Sequence, residues 1–258
     1  MDKSESVYNR YIRQMALPFW GKVGQEKLFS STVAVIGCGA LGCNIADLLV
    51  RAGVGKIRII DRDVVEYRNL HRQVLFNEED ARKQIPKAVA AEKHLKKINS
   101  DVTVEGIVAN ATAGNIEKLC TGVNVLLDGL DNLESRYILN DAALKLRIPY
   151  IYGGAIATQG MTMNIIPGVT PCLRCVFPPF LPMYDLADNT SIGVIGMIPA
   201  IIGAIEATEA IKIIIGSAEI NPNLTVIDLW PITIDNVRVE KDPECPACAG
   251  RYEFLNDR

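Results

Sequence analysis

Apolar positions along this chain fall into short β-branched runs separated by longer stretches with helical spacing. The runs at 32–36, 56–60, 102–109, 123–128 and 148–153 predict strands, and the stretches near 41–52, 86–98, 113–120 and 134–146 predict helices. Regular alternation of this kind predicts an α/β chain: a mainly parallel sheet with helices on both faces. Residues 1–31 read as a polar helical lead-in, and 161–167 suits a further strand. Residues 176–191, with Pro178, Pro179 and Pro182, read as a long irregular loop, a kind of segment that is often functional. A helix over 195–215 follows, and strands near 224–229 and 232–239 predict a small C-terminal β tail. No internal repeat or low-complexity tract interrupts this order. The expectation is one domain over 1–258, made of a helical segment (1–31), a core (32–170) and a terminal region (171–258).

The uncharged stretch 189–205 invites comparison with a membrane span. It contains Pro199, is bounded by Asp188 and Glu206, and falls short of the ~20 residues a span needs. Glu206, Glu209 and Lys212 continue its helical pattern, so it reads as a buried helix whose small residues allow close packing. Among 258 residues, 49% are hydrophobic, which is enough for a substantial core, and the net charge of −3 lacks any long basic run. Nucleic acid is therefore not expected as a partner. The polar start, Met1-Asp2-Lys3-Ser4-Glu5, has no apolar signal region and points to a cytoplasmic setting.

The first predicted strand runs straight into Gly37-Cys38-Gly39-Ala40-Leu41-Gly42, followed by helix, strand and Asp61. In that context the glycines allow a tight turn, close approach of backbone to phosphate, and close helix packing. The helix N-terminus adds free N–H groups and a favourable dipole for an anion. Asp61 falls about 20 residues on, where an acidic side chain can take ribose hydroxyls. This is a Rossmann-like nucleotide fold, although the loop does not say which nucleotide binds. Just beyond the second strand, Asn69-Leu70-His71-Arg72-Gln73 supplies a cation and amides that a nicotinamide enzyme does not need, which suggests ATP held for reaction at a phosphate.

Cys172-x-x-Cys175 and Cys245-x-x-Cys248 form two knuckles. Each can place two thiolates on one turn, and together they complete a tetrahedral four-cysteine zinc site with no open position, hence a structural one tying the tail to the domain. Two disulfides, a redox pair or unrelated thiols are the alternatives, and a cytosolic setting disfavours structural disulfides. Cys38, Cys43 and Cys120 read as small core residues.

Taken in order, these pieces resemble the ThiF/MoeB/HesA family, relatives of ubiquitin-activating enzymes that adenylate the C-terminal glycine of small sulfur-carrier proteins. The resemblance covers nearly the whole chain: Arg10-Tyr11-Ile12-Arg13-Gln14, Gly24-Gln25-Glu26-Lys27-Leu28, the glycine loop, Asp61-Arg62-Asp63, Asn69 to Gln73, Pro86-Lys87-Ala88, Asp128-Gly129-Leu130-Asp131-Asn132 and both cysteine pairs. It implies attack of a carboxylate on the α-phosphate of ATP with loss of pyrophosphate. Charge gathers on the phosphates, so cations and Mg²⁺ supply most of the catalysis. By that resemblance Arg72 and Lys87 sit on the phosphates, Asp131 holds Mg²⁺, Asp61 binds ribose, and Asn69 and Gln73 complete a polar wall. Gly37, Gly39, Ala40, Gly42, Asp63 and Asn132 join them around the nucleotide. Arg13 is implied to reach into the site of a partner subunit, which makes the active unit a homodimer. From the residues alone, Arg13 and Arg72 also fit surface ion pairs, Lys87 one more solvated lysine, and Asp131 a cap for the helix after it. Asn132, Arg136 and Asn140 read as structural, His94 as a helix-surface residue, and His71 as no favoured base.

Two departures from the family pattern stand out. Ala40 replaces a usual glycine but keeps its N–H. Many relatives carry a cysteine shortly before the Gly-Val that opens the late helix, and here Asp188 to Val194 has none, so adenylation without a covalent enzyme–carrier link in this loop is expected. Phe177, Phe180, Leu181, Met183 and Tyr184 suit either guidance of an extended tail or core packing. A sulfur donor would then take the acyl-adenylate towards molybdopterin, thiamin or a related product. Adenylation of another acceptor, as in peptide-modifying or tRNA-dehydrating relatives, stays open. So do an NAD-dependent oxidoreductase, which leaves Arg72, Lys87 and Asp131 unexplained, and a non-catalytic nucleotide-binding module.

Overall fold

The computed structural model describes residues 7–179 and 192–256. Eight strands form one sheet: β1 (Thr32–Ile36), β2 (Lys56–Asp61), β3 (Thr103–Val108), β4 (Val125–Asp128), β5 (Tyr150–Ile156), β6 (Gln159–Ile165), β7 (Leu224–Asp228) and β8 (Thr233–Val237). Their spatial order is β3-β2-β1-β4-β5-β6-β7-β8. The first five are parallel, and β6, β7 and β8 add on antiparallel. The predicted C-terminal tail is therefore the far end of the same sheet, and the strand predicted at 161–167 is β6, two residues earlier and hairpinned onto β5. Pairing partners distant in sequence decide both points.

The α-helices lying wholly within the described residues are α1 (Ile12–Met15), α2 (Gly21–Phe29), α3 (Ala40–Ala52), α4 (Glu78–Arg82), α5 (Lys87–Ile98), α6 (Ile116–Cys120), α7 (Leu133–Leu146), α8 (Leu173–Val176) and α9 (Met197–Ile215). Successive residues of β1 face opposite sides, as a strand requires. Val33 and Val35 join a core with Leu49, Ala91 and Ile202 from α3, α5 and α9. Ala34 and Ile36 join a second core with Ile116, Leu139 and Cys172 from α6, α7 and the first cysteine knuckle. Burying both faces accounts for the continuous apolar runs.

Pro199 lies in the first turn of α9, where its missing N–H is no loss, and Gly216 ends the helix in the left-handed region at φ 80°. Gly203 lets α9 lie against Leu41 and Ile45 of α3. Among the described residues no helix is long and apolar enough to cross a membrane. The helix predicted at 113–120 shortens to α6, and α7 begins one residue earlier than predicted because Asn132, not Asp131, caps it by accepting the Ser135 N–H at 2.9 Å.

Candidate active site

The parallel strands deliver their C-terminal ends to one edge, and chain order reverses between β1 and β4, the place where open α/β sheets bind ligands. Gly37 leaves β1 at φ +94°, and a Cβ there would collide with the carbonyl of Gly129, in the loop after β4. A Cβ on Gly42 or Gly129 would collide with the Gly37 carbonyl. Two loops thus cross in backbone contact, pinned by Gly129 N–H to Ile36 O at 2.8 Å and Gly37 N–H to Ile60 O at 2.7 Å. Gly39 differs: the nearest atom to its would-be Cβ is the Gly129 carbonyl oxygen at 3.7 Å, so the space in front of the α3 N-terminus is open. The first intrahelical bond of α3 is Cys43 N–H to Gly39 O, which leaves the N–H groups of Ala40 and its neighbours at the mouth.

Asp61 closes β2 beside this loop. Its Oδ2 accepts the Cys38 N–H at 2.6 Å and its Oδ1 the Asp63 N–H at 2.7 Å. Burial pushes its carboxyl up, against the pull of Lys87. Lys87 opens α5, is only 6% exposed, and points its Nζ at the exposed Asp63 Oδ2, 3.0 Å away. It is not one of the solvated lysines of its helix. Asn69 and Gln73 are buried as well, and Gln73 Oε1 has no hydrogen-bond partner among the described residues. A buried acceptor without a donor costs free energy unless a ligand supplies one. Arg72, half-buried, donates to Arg68 O at 3.1 Å and forms no ion pair among the described residues. Burial, then the neighbouring Arg68, pushes its guanidinium down, a situation an incoming anion would relieve. Asp131 stands exposed at the rim of the Gly129 loop and accepts from Asn132 Nδ2 at 3.0 Å.

Gly37, Gly39, Ala40, Gly42, Asp61, Asp63, Asp131 and Asn132 thus lie in the segments that leave β1, β2 and β4, Lys87 is tied to them through Asp63, and Asn69, Arg72 and Gln73 follow on the segment after β2. Arg13 is the exception. Its neighbour Gln14 donates to Ala52 O, at the C-terminal end of α3, at 2.7 Å. The 13 residues of α3 separate that point from the glycine loop by roughly 20 Å at 1.5 Å per residue. Arg13 is exposed there and does not enter its own chain's site.

Beneath the second face, Cys172, Cys175, Cys245 and Cys248 converge as free thiols, all four Sγ atoms lying within 4.8 Å of one another. Individual pairs lie at 3.8, 3.6 and 3.5 Å. The bond from Cys172 pulls the Cys175 thiol down to about 5. Sulfurs about 3.8 Å apart suit a tetrahedron with Zn–S near 2.3 Å, so the donor set fits zinc. The apolar groups at 180–184 and the stretch 188–191 lie outside the described residues.

Sequence reasoning missed three features. Gly129 as the back wall of the glycine loop is a contact between distant segments that no local signal marks. His94 is not on a helix surface: its Nε2 sits 2.7 Å from Oδ2 of buried Asp80, tying α5 to α4. A buried cluster of Asp128, Arg136, Tyr150 and Glu206 lies directly under the Asp131 loop; Arg136 read as structural and Asp128 led the Asp-Gly-Leu-Asp-Asn motif, but nothing in the sequence joined them.

The chain matches the ThiF family over residues 11–247. It belongs to the ThiF family. It is 42% identical over 250 residues to the sulfur carrier protein ThiS adenylyltransferase of Bacillus subtilis (strain 168), covering 96% of this chain and 74% of that protein. To the sulfur carrier protein adenylyltransferase of Thermus thermophilus it is 35% identical over 246 residues, with 93% and 90% covered. The crystal structure of E. coli MccB with ATP superposes with a TM-score of 0.76 at 26% identity over 93% of this chain and 74% of that one. This ThiF-family chain is an adenylyltransferase that uses ATP.

Proposed function

We propose that the chain adenylates the C-terminal glycine carboxylate of a small ubiquitin-like sulfur-carrier protein with a Gly-Gly end. The carboxylate oxygen bonds to the α-phosphorus of ATP, the bond to the bridging oxygen breaks, and pyrophosphate leaves with that electron pair. The observation that carries the reading is Arg72: a half-buried guanidinium without a carboxylate partner among the described residues, beside the orphaned Gln73 acceptor, in a chain so similar to sulfur-carrier adenylyltransferases. Arg72 forks onto phosphate oxygens, and Lys87 exchanges Asp63 for phosphate as a point charge. Asp61 takes the ribose, and the α3 N-terminus faces the phosphates. The oxygen donors of Asp131 suit a hard cation, so Asp131 would hold Mg²⁺, which would supply positive charge against the phosphates. Zinc in the four-cysteine cluster is structural.

The active unit in this reading is a homodimer in which Arg13 completes the neighbouring site. Two features support it: Arg13 lies far from its own glycine loop, and Ile12, Phe19 and Val23 around it are 53%, 71% and 66% exposed. The acyl-adenylate passes to a sulfur donor for a molybdopterin- or thiamin-type product in a cytoplasmic setting. No covalent cysteine link forms in the crossover loop, since 176–194 contains no cysteine. The MccB likeness favours one second reading, a peptide acceptor.

ATP–pyrophosphate exchange with and without candidate carriers tests the proposal, with Arg72→Ala as control. Carrier-dependent exchange that the control loses is the expected result. Exchange only with another acceptor selects the second reading, and ATP binding without any exchange overturns both.

A further inference from the structure

We propose that Asp128, Arg136 and Glu206 are positioning residues: together they lock the Gly129–Asn132 loop over the glycine loop and so set where Asp131 meets the nucleotide. The role of Asp131 rests on the adenylation reading; the lock itself does not.

The argument begins with a gap in the sheet. Strands β4 and β5 pair at Leu126 with Tyr150 and at Leu127 with Ile151, and there the pairing stops, while β5 runs on to Ile156 against β6. Asp128 and Tyr152, next in register, and Gly153 after them therefore lack a ladder, in a buried place where unmet backbone groups are costly. Side chains from both faces fill the opening. From α7, Arg136 donates through Nη2 to Gly153 O at 2.8 Å and Leu130 O at 2.7 Å, and through Nε to Asp128 Oδ2 at 3.0 Å. From α9 on the opposite face, Glu206 Oε2 accepts the Asp128 N–H at 3.3 Å. Tyr150 adds its hydroxyl to Asp128 Oδ2 at 2.6 Å, and Asp128 Oδ1 accepts the Leu130 N–H at 2.9 Å. Both ends of the bend at 128–130 are thus held by one guanidinium and two carboxyl groups. Gly129, inside that bend, is the residue whose backbone touches Gly37.

Charge decides the state of the cluster. Arg136 and Asp128 neutralise one another; burial alone would lower Arg136, and Asp128 beside it more than reverses this. Glu206 is fully buried, and no ion pair reaches it among the described residues. A third buried charge would stand uncompensated, so Glu206 is the neutral acid. Burial, then the nearby Asp128 carboxylate, holds its proton on. Oε2 accepts from Asp128, and Oε1, which has no hydrogen-bond partner among the described residues, abuts Gly153, where any Cβ would collide with the carboxyl. A glutamine can copy a neutral acid in this place; a leucine cannot.

The test is amide hydrogen exchange of the full chain without nucleotide, comparing peptides over 125–132 and 32–36 in Glu206→Gln, Glu206→Leu and Arg136→Lys, together with ATP titrations at low and high Mg²⁺ and exchange kinetics. Glu206→Gln is expected to keep wild-type protection and ATP affinity within about twofold. Glu206→Leu and Arg136→Lys are expected to speed exchange at 128–132 by about tenfold or more while 32–36 stays protected. They are also expected to lower kcat about tenfold with KM for ATP changed less than about threefold, and to shift ATP affinity more at low Mg²⁺ than at high. Should Glu206→Leu not fold, Arg136→Lys decides. Unchanged protection at 128–132, equal loss at 32–36, or Glu206→Gln behaving like Glu206→Leu would overturn the lock. Local deprotection as expected in a protein that shows no carrier-dependent turnover keeps the lock and removes the adenylation reading instead.

Discussion

Two aspartates flank the glycine loop, one from each strand beside β1. Asp61 ends β2 and Asp128 ends β4, both buried, and in both burial pushes the carboxyl up. Their partners differ. Asp61 has two backbone N–H donors and 8% exposure, which leaves acceptor capacity turned towards the mouth. Asp128 has no exposure and is taken up by Arg136, Tyr150 and the Leu130 N–H. Two buried carboxyl groups therefore serve opposite ends: Asp61 keeps free acceptor capacity, and Asp128 is spent on holding the protein together. What separates ligand-binding acid from structural acid is the unspent hydrogen-bonding capacity, not the depth.

The most forceful way to break this comparison is to delete one acid at a time. Asp128→Ala leaves Arg136 buried and unpaired, and urea unfolding should show a loss of about 3–5 kcal/mol. Asp61→Asn should cost far less stability; equal losses would erase the distinction. Arg72→Ala should leave folding untouched and lower carrier-dependent pyrophosphate exchange about 100-fold, because one charge-assisted contact to the transferring phosphate disappears. Asp61→Asn should weaken ATP binding about tenfold in a direct titration, whereas Glu206→Gln should not, which sharpens the contrast between mouth and underlayer.

The smallest effect is in pH. Glu206 faces Asp128, Arg136 and Tyr152, and its native carboxyl titrates well above the ordinary value of 4.5. The native state then binds the proton more tightly than the unfolded chain. Stability from this group is complete below 4.5 and falls as pH rises from there towards the native value, by at most about 1.4 kcal/mol per pH unit. Glu206→Gln lacks that slope, so the stability of the variant relative to wild type should climb with pH in thermal unfolding. A difference that stays flat between about pH 5 and 8 would mean an ordinary carboxyl.

Local signals were readable and remote ones were not. The glycine spacing after an apolar strand, with Asp61 in step, located the glycine loop between β1 and α3 because turn, helix and strand are written within one β-α-β unit. The two cysteine knuckles were legible through their spacing, although only the fold brings them together. Apart from the family resemblance, Lys87 could not be told from Lys93, Lys96 and Lys97, because its burial depends on Asp63 and the loop before it. Glu206 looked like the polar resumption of an apolar helix; nothing nearby says that β4 and β5 part where it lands. The attachment of β7 and β8 to the main sheet was hidden for the same reason, since β6 supplies the edge from some 60 residues upstream.

The crossing of Gly37 and Gly129 also bears on protein engineering. A designer who transplants the glycine loop into another parallel sheet carries over only half of a joint. Without a second side-chain-free position on the neighbouring strand's exit, the host backbone would be wedged open, and the borrowed loop could not seat. The transferable part is the pair of strand ends, and a library that varies one glycine must hold the other constant.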